Sequence, residues 1–272
     1  MTQYATKVVR GATVRADPAR EPAFRVVHDS TDLADYADMS AIARRQRMHK
    51  HMHNEMQSIE MSAQSLAEFT DAPWDVRMSM ARQCWDESRH TRLLYQRLQE
   101  IGGYKGEFPV MNHEWSITCM VNTLWGRIAL QNRTFEGGEM DLLKKLADMW
   151  RDEGDGITAD LLEGILADEV QHVRYANQWL QRMGRENPAV LLQVAAAINY
   201  ARHVLKLYEP QPGETNAVGV DLTGFEHMST QVNSEDRRLA GFTEGEISEI
   251  VRRDITRFVF DTQREHFRKG GV

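Results

Sequence analysis

Two tetrads pair an acid with an imidazole at a spacing of three: Glu87-Ser-Arg-His90 and Glu169-Val-Gln-His172. On an α-helix, positions i and i+3 share a face, so each pair can grip one ion. Carboxylate oxygen with imidazole nitrogen, and no thiolate, suits iron or manganese. Each glutamate also follows an aspartate, Asp86 or Asp168, and each motif lies in an apolar stripe. Met80, Cys84, Leu94, Leu98 and Ile101 flank the first, while Leu162, Ile165, Leu166, Val173, Ala176, Leu180 and Met183 flank the second. A bare carboxylate among such neighbours is costly, and a shared ion is one way to neutralise it. One such tetrad alone is usually a solvated pair. Two on apolar faces point to a site.

A shift of 82 residues lays "DESRHTRLLYQRLQEIG" on "DEVQHVRYANQWLQRMG", matching Asp86, Glu87, His90, Arg92, Gln96, Leu98 and Gly102 to their counterparts. The two segments read as equivalent halves of a pseudo-twofold bundle. Such a centre needs one more carboxylate from each of two other helices. Upstream, Glu55 shares a face with Met48, Met52, Ile59, Ser62 and Leu66. Glu60 lies roughly 140° round the helix from it. Glu55 is therefore the expected ligand, and Glu60 an outer or surface acid.

Between the motifs, Glu136 and Glu139 compete. Glu136 precedes Glu169 by 33 residues much as Glu55 precedes Glu87 by 32, whereas reflection through the turn near Asp155 slightly favours Glu139. Glu136 is expected as the main ligand and Glu139 as an extra or displacing one. Thr118, Asn122 and Asn132 fall near the face of Glu136. Tyr95 and Tyr175 follow the histidines and invite two readings, packing or radical transfer. His49, His51 and His53 invite a further metal site, since His49 and His53 lie one turn apart, but their basic neighbours point to a solvated helix start.

Helical periodicity and turn signals must supply the scaffold. Helices are expected from Met39 to Phe69, Trp74 to Ile101, Trp115 to Glu153, Ile157 to Met183, and from Pro188 to just before Pro210. The third is expected to kink or break at Gly137-Gly138, because paired glycines weaken a helix interior. Residues 1–38 read as an N-terminal arm, residues 39–208 as the bundle and residues 209–272 as a C-terminal extension packing on it. A last helix is expected from Thr243 to about Phe267.

With 42% hydrophobic and 27% charged residues in a chain of 272, a sizeable core is affordable. The net charge of −7 disfavours nucleic-acid and membrane-surface binding, although "IARRQRMHKH" is locally basic. Cys84 and Cys119 have no metal or redox spacing. No apolar run reaches the roughly 20 residues of a membrane span, and "MTQYATKVVR" lacks the apolar core of a signal peptide. A cytoplasmic protein is expected.

The order Glu55, Glu87-x-x-His90, Glu136, Glu169-x-x-His172 resembles the signature of the ferritin-like di-iron carboxylate proteins, across about residues 45–185. "HNEMQSIEM" and "VNSEDRRLAGF" are also similar to a bacterial branch of that superfamily, from which Glu139 departs. The resemblance implies an all-α fold: a ferritin-like four-helix bundle with a fifth helix and N- and C-terminal extensions. It implies two iron ions, or an iron–manganese pair, with O2 as co-substrate and an external electron donor. It also implies that Asp86 takes the outer N–H of His172, and Asp168 that of His90, fixing tautomer and ring plane. The activity implied is a non-haem di-iron oxidase or oxygenase. It would hydroxylate, desaturate or N-oxygenate a small-molecule substrate, with a redox partner and a homodimeric assembly. Ferroxidase and iron storage, a tRNA-modifying di-iron hydroxylase, and a metal-stabilised binding protein are the alternatives.

Overall fold

A computed structural model describes residues 4–222 and 231–252. Helices dominate, and the strands β1 (Thr6–Val9) and β2 (Ala12–Arg15) form a small antiparallel hairpin. Its Arg10-Gly11 turn has positive φ at both residues, the backbone that two-residue hairpins require. Val9, Ala12 and Val14 bury themselves against Ile117, Val121, Leu130, Ala197 and Val204. The N-terminal segment is thus pinned to the helices.

Helices α1 (Ala41–Glu68) and α2 (Trp74–Glu100) pack along each other after a short turn. Arg77 Nη1 closes that turn by donating to the carbonyls of Leu66 and Phe69, at 3.1 and 2.9 Å. Gly102, at φ +85°, stops α2 in a left-handed conformation open mainly to glycine.

The third expected helix arrives in pieces. Helix α3 spans His113–Thr118, residues 119–123 interrupt it, and α4 (Leu124–Ile128) resumes. A π-helical stretch, Ala129–Glu136, then leads without a break into α5 (Gly137–Asp152). The expected break at Gly137-Gly138 does not occur there but about 15 residues earlier. The buried guanidinium of Arg127 stabilises the actual break. It donates to Val121 O from Nε at 3.0 Å and from Nη2 at 2.6 Å, and pairs with Glu68 Oε2 at 2.5 Å. Carbonyls that leave a helix must find other donors, and here one arginine supplies them. At Gly137 the carbonyl is held by Arg237 Nη2 at 2.6 Å.

Gly154, at φ +79°, turns the chain toward α6 (Gly156–Glu186). Asp155 caps that helix by accepting from Thr158 N at 3.0 Å, satisfying one of the free N–H groups at its start. Helix α7 (Ala189–Tyr208) follows, then the short helix Ser234–Leu239 and a final described helical stretch, 244–252. The remainder of the expected last helix lies outside the described residues. No described helix is long and apolar enough to cross a membrane.

Two apolar layers define where polar groups can sit. Met48, Met52, Leu94, Leu98, Leu143, Trp150, Leu162 and Ile165 form one. Val76, Met80, Trp125, Ile128, Ala176 and Leu180 form the other. Along both α2 and α6 the Glu-x-x-His motif falls between the two layers.

Candidate metal centre

Between those layers the structure brings Glu55, Glu87, His90, Glu136, Glu169 and His172 together, each at most 3% exposed. Glu55 comes from α1, Glu87 and His90 from α2, Glu136 from the end of the π-helical stretch, and Glu169 and His172 from α6. His90 Nδ1 lies 3.1 Å from Glu87 Oε2, 3.3 Å from Glu55 Oε2 and 3.5 Å from Glu169 Oε1. His172 Nδ1 lies 3.2 Å from Glu169 Oε2 and 3.4 Å from Glu87 Oε1. Two overlapping groups of ligand atoms result: Glu55, Glu87, His90 and Glu169, and Glu136, Glu169 and His172. Glu169 belongs to both, and Glu87 faces both histidines.

The outer ring nitrogens turn away from this cluster toward aspartates of the opposite helix. His90 Nε2 lies 3.1 Å from Asp168 Oδ2, and His172 Nε2 lies 3.4 Å from Asp86 Oδ2. Arginines hold both acids in turn. Arg82 Nε donates to Asp86 at 2.7 Å, and Arg89 pairs with Asp168. Each imidazole is fixed in plane with Nδ1 facing inward.

Crowding so many buried charges shifts their proton affinities. Burial, then the neighbouring charge of Glu169, pushes Glu136 up to about 8 and Glu87 well above the carboxylate range. Burial would lower the two histidines, but the acids around them prevail. Glu55 and Glu87 carry His90 up to about 11, and Glu169 and Glu87 raise His172 strongly. Burial opposes ionisation of Glu55 too, yet His51 and His90 hold it below its ordinary range. These directions describe a cluster that shares protons in place of other cations. The donor set fits divalent metal: four carboxylates match the charge of two dications, and both imidazoles present a nitrogen. Glu169 Oε1, fully buried, makes no hydrogen bond. An orphaned buried acceptor at the point shared by both groups is costly unless a cation meets it. These buried Glu and His side chains could hold metal ions.

An amide network braces the Glu136 side. Gln83 Nε2 donates to Glu136 Oε1 at 2.5 Å and to Glu87 Oε1 at 3.1 Å. Asn132 Nδ2 donates to Glu136 Oε2 and to Gln83 Oε1, both at 2.9 Å. Tyr175 donates its hydroxyl to Gln83 Oε1 at 3.0 Å. The π-helical stretch permits this arrangement. Its wider turn keeps Gln131, Asn132 and Glu136 all buried toward the centre, and such turns often occur at functional sites.

Residues 2–248 match the family described as "Protein of unknown function (DUF455)". The chain belongs to that family. No curated protein and no solved structure matches it. The DUF455 match runs from the β-hairpin into the last described helical stretch, so it takes in the centre and the segments packed around it.

For this DUF455 chain, Glu136 and Glu139 prove to serve different groups. Glu136 joins Glu169 and His172, while Glu139 meets His51 and Glu55. Tyr175 reaches the site through Gln83, whereas Tyr95 is half-buried beneath Lys105, whose Nζ lies 5.9 Å from the ring. Asn132 bonds Glu136, Thr118 is buried, and Asn122 is exposed in the helix interruption. Glu60 is half-buried and pairs with Arg20.

A further expectation is overturned. His49, His51 and His53 do not form a solvated helix start, because all three are buried. The preceding segment and the 104–113 loop fold over His49 and His53, while His51 turns to Glu55 and Glu139. Gly106 N donates to His49 Nε2 at 2.9 Å, Arg20 Nε donates to His53 Nε2 at 3.3 Å, and Phe24 packs 5.8 Å from both rings. Their basic neighbours are neutralised from the same side: Arg45 by Glu107 and Lys50 by Asp35, each at 2.8 Å.

Sequence reasoning missed His51, Gln83 and Glu114 as neighbours of the centre. The signal for His51 was available: it precedes Glu55 by four residues, one turn along the same face. Gln83 stands likewise one turn before Glu87.

Proposed function

We propose that this chain is a ferritin-like di-metal carboxylate protein, acting as a non-haem di-iron oxidase or oxygenase on a small organic substrate. The observation that carries the reading is the placement of Glu169. It belongs to two ligand groups built from twofold-related Glu-x-x-His motifs, and each histidine has its outer nitrogen toward an aspartate of the other motif. Helices α1, α2 and α6 and the π–α5 segment would be the four helices of the bundle, with α7 as the added fifth.

Glu55, Glu87, His90 and Glu169 would hold one ion, and Glu136, Glu169 and His172 the other. Two ferrous ions in such a setting supply electrons for O2 reduction, the chemistry by which C–H or N–H bonds are oxidised. The chain's own residues set the conditions. Asp86 and Asp168 orient the imidazoles. Gln83 and Asn132 hold Glu136 in place, and the apolar layers on either side limit water. Tyr175 offers a hydroxyl proton to Gln83 rather than directly to a carboxylate. It is thus placed to communicate with the centre through one amide.

The test is anaerobic loading with Fe(II), followed by rapid mixing with O2. The reading expects O2 consumption with two irons oxidised per chain. Its absence in a fully loaded chain favours a metal-stabilised binding protein instead.

A further inference from the structure

Near Glu55 the two halves of the bundle cease to be equivalent. Four residues before Glu136 stands Asn132, whose amide donates to that carboxylate. Four residues before Glu55 stands His51. Its Nε2 lies 2.9 Å from Glu55 Oε1 and 3.3 Å from Glu139 Oε1. The other oxygen of Glu55, Oε2, faces His90. Glu55 therefore presents one oxygen to the centre already described and one to a second cluster outside it.

In that second cluster an imidazole nitrogen and carboxylate oxygens from α1 and α5 converge closely enough to share an ion. Nitrogen and carboxylate oxygen together suit a first-row divalent cation. Glu114 of α3 borders the cluster, within the electrostatic reach of Glu139 and Glu55. Its nearest basic atom among the described residues is His113 Nε2, 3.7 Å away. Three carboxylates against one imidazole give the cluster a predominance of oxygen donors, the kind a divalent cation takes. Side-chain exposure is graded, from 3% at Glu55 through 9% at His51 to 19% at Glu139 and 17% at Glu114. The main ligands lie beneath, sealed by the apolar layers.

We infer that His51, Glu55 and Glu139, with Glu114 at the outer edge, form a third divalent-cation site through which ions reach the buried pair. The destination rests on the two-metal reading above, whereas the third site needs only its own ligands. A passing site must hold its ion less firmly than the centre it serves, so this site fills last at equilibrium.

The experiment titrates the metal-free full chain with Mn(II) and maps bound ions by anomalous diffraction from Mn(II)-soaked crystals. Three peaks per chain are expected, the weakest among His51, Glu55 and Glu139. Glu139→Gln should remove that peak and slow Co(II) filling of the other two about 10-fold, as loss of local electrostatic focusing does. His51→Gln should do the same, which guards against a folding defect peculiar to one variant. Two peaks and no third in the wild type would overturn this proposal alone, and no peaks at all would overturn the two-metal reading with it. A third peak with unchanged filling rates in both variants would refute the route.

Discussion

Asp168 on α6 reaches across to α2 and sets its Oδ2 3.1 Å from the outer nitrogen of His90. Asp86 does the same for His172 in the opposite direction. The acid of each motif thus orients the imidazole of the other, and the two motifs depend on one another. Partners at this distance from a metal typically govern affinity by factors of about 10–100. Asp168→Asn should therefore weaken Mn(II) binding about 10- to 100-fold, measured against a competing chelator, with helix content unchanged. Asp168 is partly exposed while Asp86 is buried, so Asp86→Asn should also lower the melting temperature. Equal affinities in wild type and Asp168→Asn would rule out this orienting role.

Metal binding should be strongly pH-dependent. Burial first, and then neighbouring acids, raise Glu139 to about 7 and Glu136 to about 8. His90, carried up to about 11 by Glu55 and Glu87 against the effect of burial, also holds a proton at neutral pH. A metal binds the deprotonated forms. Affinity should rise with pH through 7 and 8, and loading at pH 7 should release roughly two or more protons per chain. Titration calorimetry in buffers of different ionisation enthalpy counts those protons. A pH-independent affinity between 6 and 8.5 would contradict the shared-proton picture.

Gln83 is the brace between Glu87 and Glu136. In Gln83→Leu, Glu136 loses its 2.5 Å donor, and burial then raises its carboxyl further above 8. The expected result is a metal-binding pH profile displaced upward. The metal-free chain should also lose stability, since Glu136, Glu87, Asn132 and Tyr175 each lose a partner, at about 1–3 kcal/mol for each group left unsatisfied. An unshifted profile would mean that Gln83 merely packs.

Arg237 closes the centre from the C-terminal side. Its guanidinium donates to Asp141 Oδ2 and to Gly137 O, both at 2.6 Å, and both side chains of the pair are nearly inaccessible. Removing one partner of such a pair costs about 3–5 kcal/mol, because the other charge stays buried. Arg237→Ala should show that loss in chemical denaturation and should weaken binding at the Glu136 group, one residue from the released carbonyl. Wild-type stability in this variant would show that the pair is solvated.

Local spacing made much of this legible. Observed and expected ends of α1, α2, α6 and α7 differ by at most three residues, because apolar periodicity and Gly or Pro punctuation are written along the chain. Glu55 emerged from the apolar face it shares for the same reason. Placing residues on a face assumes about 100° per residue, and it fails where the backbone widens into the π-helical stretch. Glu136 and Glu139 consequently looked like rivals for one place when they occupy two. The burial of these histidines was hidden because their neighbours are distant in sequence: Arg20, Phe24 and Gly106 meet His49 and His53, and Glu139 of α5 meets His51. Likewise Arg127, which fixes the helix break, acts through carbonyls that no side-chain pattern reveals.

The central claim is that Glu169 is shared by two bound ions. Metal analysis of the full chain after saturation with Mn(II) and removal of loosely held ions tests it most directly, with wild type compared against Glu87→Ala/Glu169→Ala. The account predicts two tightly held ions per chain in the wild type and none in the double variant. Fewer than two in the wild type, or two retained in the variant, would contradict it.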